Sequence, residues 1–160
     1  MLGGRDPNDP DSGTFTGNFD STDDAKNLTL GFLQEGADVI LPVGGPIGQG
    51  TFAAIDEQGA DAVGLGVDVD WTLTVPEFSG LMLTSIIKRI DNSVFQAIER
   101  AIAGEEPQPV FVSTLENEGV GIAPFHEYED QISDEVKAAL EEMADAIIAG
   151  ELVPSDYYGE

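Results

Sequence analysis

Two carboxylates and one lysine stand in this 160-residue chain where a side chain could meet a ligand. Asp68 and Asp70 close one apolar run, Ala62 to Val67, and Lys88 closes another, Leu81 to Ile87. A carboxylate held at the end of a strand can accept two hydrogen bonds from a vicinal diol, which is how open α/β folds hold ribose. Upstream lies Gly44-Gly45-Pro46-Ile47-Gly48-Gln49-Gly50. Glycines there let backbone N–H groups approach a ligand closely, and the helix that follows offers the positive end of its dipole. Within this run Gly48-x-Gly50-x-x-Ala53 matches the dinucleotide fingerprint, with an acid about 20 residues further on. Against that match, the glycines already begin at 44 and Pro46 interrupts the turn. Spacing alone leaves a nucleotide cofactor site, a small-ligand pocket and a plain tight turn all open. Lys88, beside Arg89 in a chain with 6 basic residues, is either a ligand contact or half of a structural ion pair.

Other chemistry finds little support. His126 is the sole histidine, flanked by Glu127 and Glu129 in a proline-led acidic loop, and reads as a surface residue near carboxylates. One histidine and no cysteine leave no set for a zinc site, and no serine occupies a nucleophile elbow. Glu141, Glu142 and Asp145 fall on the outer face of a helix, and Asp9-x-Asp11-x-Gly13 lacks the distal glutamate of a calcium loop. The expectation is a binding protein, not an enzyme, with no metal and no cofactor.

The acidic excess, 31 Asp and Glu for a net charge of -25, excludes nucleic-acid polymers as partners and disfavours anionic membranes, because six cations cannot neutralise a row of phosphates. It suits a high-salt habitat or a merely soluble acidic surface. No apolar run has the length of a membrane span.

The elements that position the glycines and acids follow from patterning. A strand over 14–17 leads to a turn at Asn18–Asp20, and a helix capped by Ser21 or Thr22 carries Ala25, Leu28, Phe32 and Leu33 on one face to its end at Gly36. Residues 38–43 read as a buried parallel strand. The glycine turn, a helix to Gln58 stopped by Gly59, and the strand over 62–67 complete a βαβ unit. A strand over 81–88, a helix over 91–103 with Val94, Ile98 and Ile102 in register, a strand over 110–112 and a turn at 116–119 follow. The last helix is capped by Ser133, buries a stripe of Val136, Leu140, Met143 and Ile147, and ends at Gly150. Strands alternating with helices predict an α/β fold, a Rossmann-like, mostly parallel sheet flanked by helices.

Several segments together resemble the basic membrane protein family of substrate-binding lipoproteins, which serve ABC-type importers and include purine-nucleoside receptors. They are Gly36-Ala37-Asp38-Val39-Ile40 running into Gly44 to Gly50, Gly66-Val67-Asp68-Val69-Asp70, Thr84 to Asp91, Gly119 to Phe125, and Ile147 to Glu151 with Val153-Pro154. The resemblance implies one lobe of a type I periplasmic-binding-protein fold, two Rossmann-like lobes closing on a ligand. Phe19 would stack on a base, Gly44 and Gly45 would line the ligand with backbone, Asp68 would hold ribose hydroxyls, and Lys88 would bond the ligand from the hinge side. Asn18 in place of the family's serine and Val69 between the aspartates are departures that bear on ligand choice. Residues 14–154 would form the C-terminal lobe with hinge-crossing segments, 1–13 a mobile lead-in and 155–160 a tail. The first lobe, export signal and lipid-anchored cysteine of an extracytoplasmic lipoprotein would lie outside this chain. An importer permease is the implied partner. The helix over 91–103 would then show an uncovered apolar face, and the lobe alone would self-associate or pack loosely there.

Overall fold

Asn18 organises the start of the chain. Its Oδ1 accepts the N–H groups of Asp20 and Ser21 at 3.1 and 2.8 Å. Its Nδ2 donates to Thr16 O at 3.1 Å and to Asp24 Oδ2 at 2.7 Å. These bonds fold residues 16–21 into a turn, so the strand expected at 14–17 does not form over its described part. The computed structural model describes residues 15–106 and 110–154; the predicted lead-in, Pro107, Pro109 and the tail lie outside the described residues.

Helix α1 (Thr22–Gln34) begins where Ser21 Oγ accepts the Asp24 N–H, satisfying one of the free donors of the first turn. Past its end Gly36 turns at a φ of 87°. Strand β1 (Val39–Ile40) is shorter than the expected 38–43, and only Ile40 of it is buried. Pro42 has no N–H to give a ladder. In the sheet order β1 stands last beside β2, so Val39, Leu41 and Val43 are exposed. A short 3-10 turn over Gly45–Gly48 leads into α2 (Gln49–Gln58), which Gly59 stops at a φ of 54°. Strand β2 (Val63–Asp68) lies parallel to β1, and the βαβ unit is present as patterned. A single helical turn, α3 (Trp71–Thr74), follows.

Strand β3 (Met82–Lys88) pairs parallel to β2, with Asp68 opposite Ile87. After α4 (Ile90–Ile102) the chain returns as β4 (Val120–Ile122), antiparallel to β3. The strand expected at 110–112 is absent. Asn117 takes up that backbone instead: its Nδ2 donates to Val112 O, and its Oδ1 accepts from Thr114 N–H and Gly119 N–H. The described sheet therefore runs β1-β2-β3-β4, parallel but for its last pair, with helices packed against it.

Two apolar clusters fill the interior. Phe52, Val67, Trp71, Val75 and Met82 form one, Ala37, Ile40, Ile55 and Ala62 the other, and Leu81 packs against both. Helix α1 packs on α2 through a buried hydrogen bond between the Thr29 and Thr51 hydroxyls at 2.9 Å. Helix α5 (Asp134–Ile148) is capped by Ser133 and ends before Gly150, as read from the sequence, but no residue of it is buried. Its Val136, Leu140 and Met143 stand exposed, and the same holds for Val94, Ile98 and Ile102 on α4. The expected burial of the α5 stripe fails because no described element lies over it. Among the described residues nothing covers the α4 face, as the resemblance implied.

Candidate ligand site at the strand ends

The carboxyl ends of β2 and β3 lie side by side, so their last residues meet. Lys88 Nζ stands 2.7 Å from Asp68 Oδ1. The ion pair is the role this structure shows for Lys88, and both side chains stay about half exposed. Such a solvated pair contributes only up to about 1 kcal/mol to stability. The backbone under Asp68 is unusual. Val69 N–H bonds to Val67 O at 2.8 Å across it, and Asp68 itself has a φ of 71°. A three-residue turn of this hand is the rare and strained form.

Asp70, two residues on, is committed elsewhere. Its Oδ1 accepts the Thr72 N–H at 3.1 Å and the Thr72 hydroxyl at 2.6 Å, which caps α3. Its Oδ2 lies 2.8 Å from His126 Nε2. Burial pushes the Asp70 carboxyl up, but the hydrogen bonds from Thr72 and His126 and the Thr72 amide outweigh it and hold the group below its ordinary value. The two acids that the fingerprint offset fitted equally thus separate: Asp70 builds the loop and Asp68 faces out of it. His126, read as a surface residue near carboxylates, is exposed, and the carboxylate it bonds is Asp70 rather than Glu127 or Glu129.

The glycines divide in the same way. Gly45, at a φ of 61°, has open space where a side chain would stand. A Cβ on Gly44 would meet Ile47 at 2.9 Å. On Gly48 it would meet Trp71 Cη2 at 2.9 Å, and on Gly50 the Thr22 carbonyl oxygen at 2.0 Å. The two fingerprint glycines therefore make room for this chain's own atoms. No ligand is needed to explain them.

Gly45, Pro46, Gln49, Asp68, Trp71 and Thr74 line an open depression of about 250 Å³. Trp71 forms its floor, buried against Phe52 with ring centroids 5.5 Å apart, its Nε1 donating to Val67 O at 2.8 Å. Gly44 lines a separate apolar recess of about 140 Å³ between α1 and β1, with Phe15, Phe32 and Ile40. Phe19 lines neither and stands 74% exposed. Of the five candidate residues, then, Asp68, Lys88 and Gly45 come together, Gly44 adjoins them, and Phe19 stands apart. Gln49 and Thr74 were not singled out from the sequence, since a polar residue in a helix's first or last turn carries no distinguishing signal. Among the described residues no cluster of His, Asp or Glu is arranged for a metal.

Comparison with known proteins agrees with this architecture. A solved ABC transporter solute-binding protein from Aeropyrum pernix superposes with a TM-score of 0.72 at 24% identity, over 88% of this chain and 46% of that one. A protein from Bacillus halodurans described as a transcriptional activator of the comK gene gives 0.74 at 20% identity, over 91% and 50%. At these identities the likeness is one of fold. In sequence, the CD4+ T-cell-stimulating antigen of Listeria monocytogenes is 30% identical over 151 residues, 86% of this chain and 41% of that protein. An uncharacterized lipoprotein of Pyrococcus abyssi is 30% identical over 111 residues, 67% of this chain and 27% of its own length. The chain thus spans less than half the length of the curated relatives it matches. Residues 12–155 match the family described as Bmp, ABC transporter substrate-binding protein PnrA-like. The chain belongs to that substrate-binding family.

Proposed function

We propose that residues 14–154 act as the C-terminal lobe of a non-catalytic solute receptor for an ABC importer, and that the ligand is a nucleoside or a similar uncharged, hydroxyl-rich molecule held between two lobes. The Asp68–Lys88 pair carries this reading, because it sits at the carboxyl ends of neighbouring parallel strands, where open α/β sheets receive ligands. Asp68 retains acceptor capacity for a diol. Lys88 meets Asp68 as an ion pair and carries three N–H donors that a ligand could use. Together they present a neutral, hydrogen-bonding couple, while the net charge of -25 works against anionic ligands such as nucleotides. Gly44 and Gly45 offer backbone at the rim, and the exposed ring of Phe19 would stack on a base once the lobes close.

The exposed apolar sides of α4 and α5 support the two-lobe reading, since each is patterned for a partner that the described residues do not provide. In the full-length protein the site would lie outside the cytoplasm, on a lipid-anchored receptor that docks on an importer permease.

Trp71 emission is the direct test, as this tryptophan floors the depression. Titration with inosine, guanosine or adenosine should change it, weakly because half a site leaves the ligand partly exposed, and NAD should not. Asp68→Ala should abolish the response. A response to NAD alone would favour a cofactor-binding fragment, and equal nucleoside responses from parent and Asp68→Ala would remove Asp68 from the site.

A further inference from the structure

Asp68 at a φ of 71° and His126 at 47° are two non-glycine residues with left-handed backbone, and one side chain two residues beyond Asp68 bonds to His126. That side chain is Asp70. An ionised carboxylate only accepts hydrogen bonds, so the 2.8 Å contact places a proton on His126 Nε2 and has it donate to Asp70 Oδ2. The same nitrogen lies 3.0 Å from Thr72 Oγ1. Strained backbone persists only where its surroundings over-determine it. Around Asp68 those surroundings are the Val69 N–H bond to Val67 O, the Trp71 indole bond to the same oxygen, and the Asp70 cap on α3. The β3 ladder, the Lys88 ion pair and the Trp71 N–H bond to Ser85 Oγ also hold the turn from the β3 side, and Asp70, through His126, ties it to the segment after β4.

The segment bearing His126 is itself pinned to this loop. Tyr128 Oη donates to Gly80 O at 2.7 Å, and Ser79 Oγ donates to Glu127 Oε1 at 2.9 Å. The turn after β4 therefore grips the 70–80 loop at three points, and His126 is the one nearest the depression.

We propose that His126 is a positioning residue for the ligand site: by holding Asp70, it fixes the strained turn that presents Asp68. The inference rests on the reading of Asp68 as a ligand contact, yet its geometric part can be tested without any ligand. Three variants of the full chain separate backbone from side chain. His126→Ala loses the bond and keeps a strained φ. His126→Gly loses the bond and relieves the strain. His126→Gln keeps a strained φ but sets its amide Nε2 about where the imidazole Nε2 stands, so it retains an N–H donor for Asp70.

Amide exchange at Val69, whose N–H closes the Asp68 turn, should quicken about tenfold in the Gly and Ala variants, as expected for the loss of one hydrogen bond to a charged group, and should stay near the parent in the Gln variant. Inosine affinity, read from Trp71, should fall in the same order, while the urea midpoint of the Gly variant stays close to the parent. Val69 exchange in the Gly variant within twofold of the parent would overturn the inference. So would a Gln variant that behaves like Ala, because the two share the strained φ and differ in the donor. Faster Val69 exchange in a chain whose parent binds no nucleoside would leave the positioning role standing and refute the ligand reading alone.

Discussion

Gly50→Ala tests what the fingerprint glycines are for. The added methyl would stand 2.0 Å from the Thr22 carbonyl oxygen and 3.0 Å from both Thr22 C and Lys26 N. A carbon meets an oxygen comfortably at roughly 3.3 Å, so α1 and α2 would have to part by roughly 1 Å. All three obstructing atoms are backbone, and no rotamer change relieves the clash. Overpacking of this kind costs about 1–3 kcal/mol. Separation also stretches the buried Thr29–Thr51 hydrogen bond, putting at risk about 1 kcal/mol more. Alanine's better helix propensity returns about 1 kcal/mol at most, and less in the first turn. The net expectation is a loss of about 2 kcal/mol, seen as a lower urea midpoint with an unchanged slope. If Gly50 instead served a pyrophosphate, the alanine variant would keep its stability and lose affinity for NAD. A urea midpoint equal to or above the parent's would refute the packing argument.

Further expectations follow from the same contacts. Asp70 has its folded-state pKa lowered, so its contribution to stability is complete above its unfolded value of about 3.9 and is lost as the pH falls through the lower folded value. Urea midpoints measured from pH 6 down to 2 should therefore decline less in Asp70→Asn than in the parent. Thr29→Val should cost about 1–3 kcal/mol by leaving the Thr51 hydroxyl buried without its partner, and the double change with Thr51→Val should recover most of that in chemical denaturation. With a net charge of -25 and each described Lys and Arg already paired to a carboxylate, self-repulsion should be screened by salt, so the thermal midpoint should rise as KCl increases to molar levels.

Much of the fold was legible because its signals are local. Ser21 and Ser133 cap the helices they precede, Gly59 stops α2 in the left-handed conformation, and the parallel order of β1, β2 and β3 follows from strands alternating with helices. The failures have local causes of another kind. At 15–17 and at 110–112, β-prone residues lose their ladder to side chains that compete for the same backbone, those of Asn18 and Asn117. That competition depends on where an asparagine amide points, which composition does not state.

The site shows the same boundary more sharply. Asp68-Val69-Asp70 places two acids at a strand end, of which Asp68 reads as the ligand contact, while a fingerprint offset fits either. One distinguishing signal was present: Asp70-x-Thr72 ahead of a helix is a cap pattern, which already assigns Asp70 to backbone. The other was beyond reach, since His126 lies 56 residues away from Asp70 and meets it only after β4 has paired with β3. The apolar stripes of α4 and α5 mark the complementary limit. A 3.6-residue period certifies that a face is built for burial and says nothing of what buries it, so the pattern was read correctly on α5 while the burial was not. In a chain whose remaining surface is so acidic, those two uncharged faces are where a second lobe would find the least repulsion. The two apolar faces that the described interior leaves uncovered are therefore the ones that the proposed second lobe would cover.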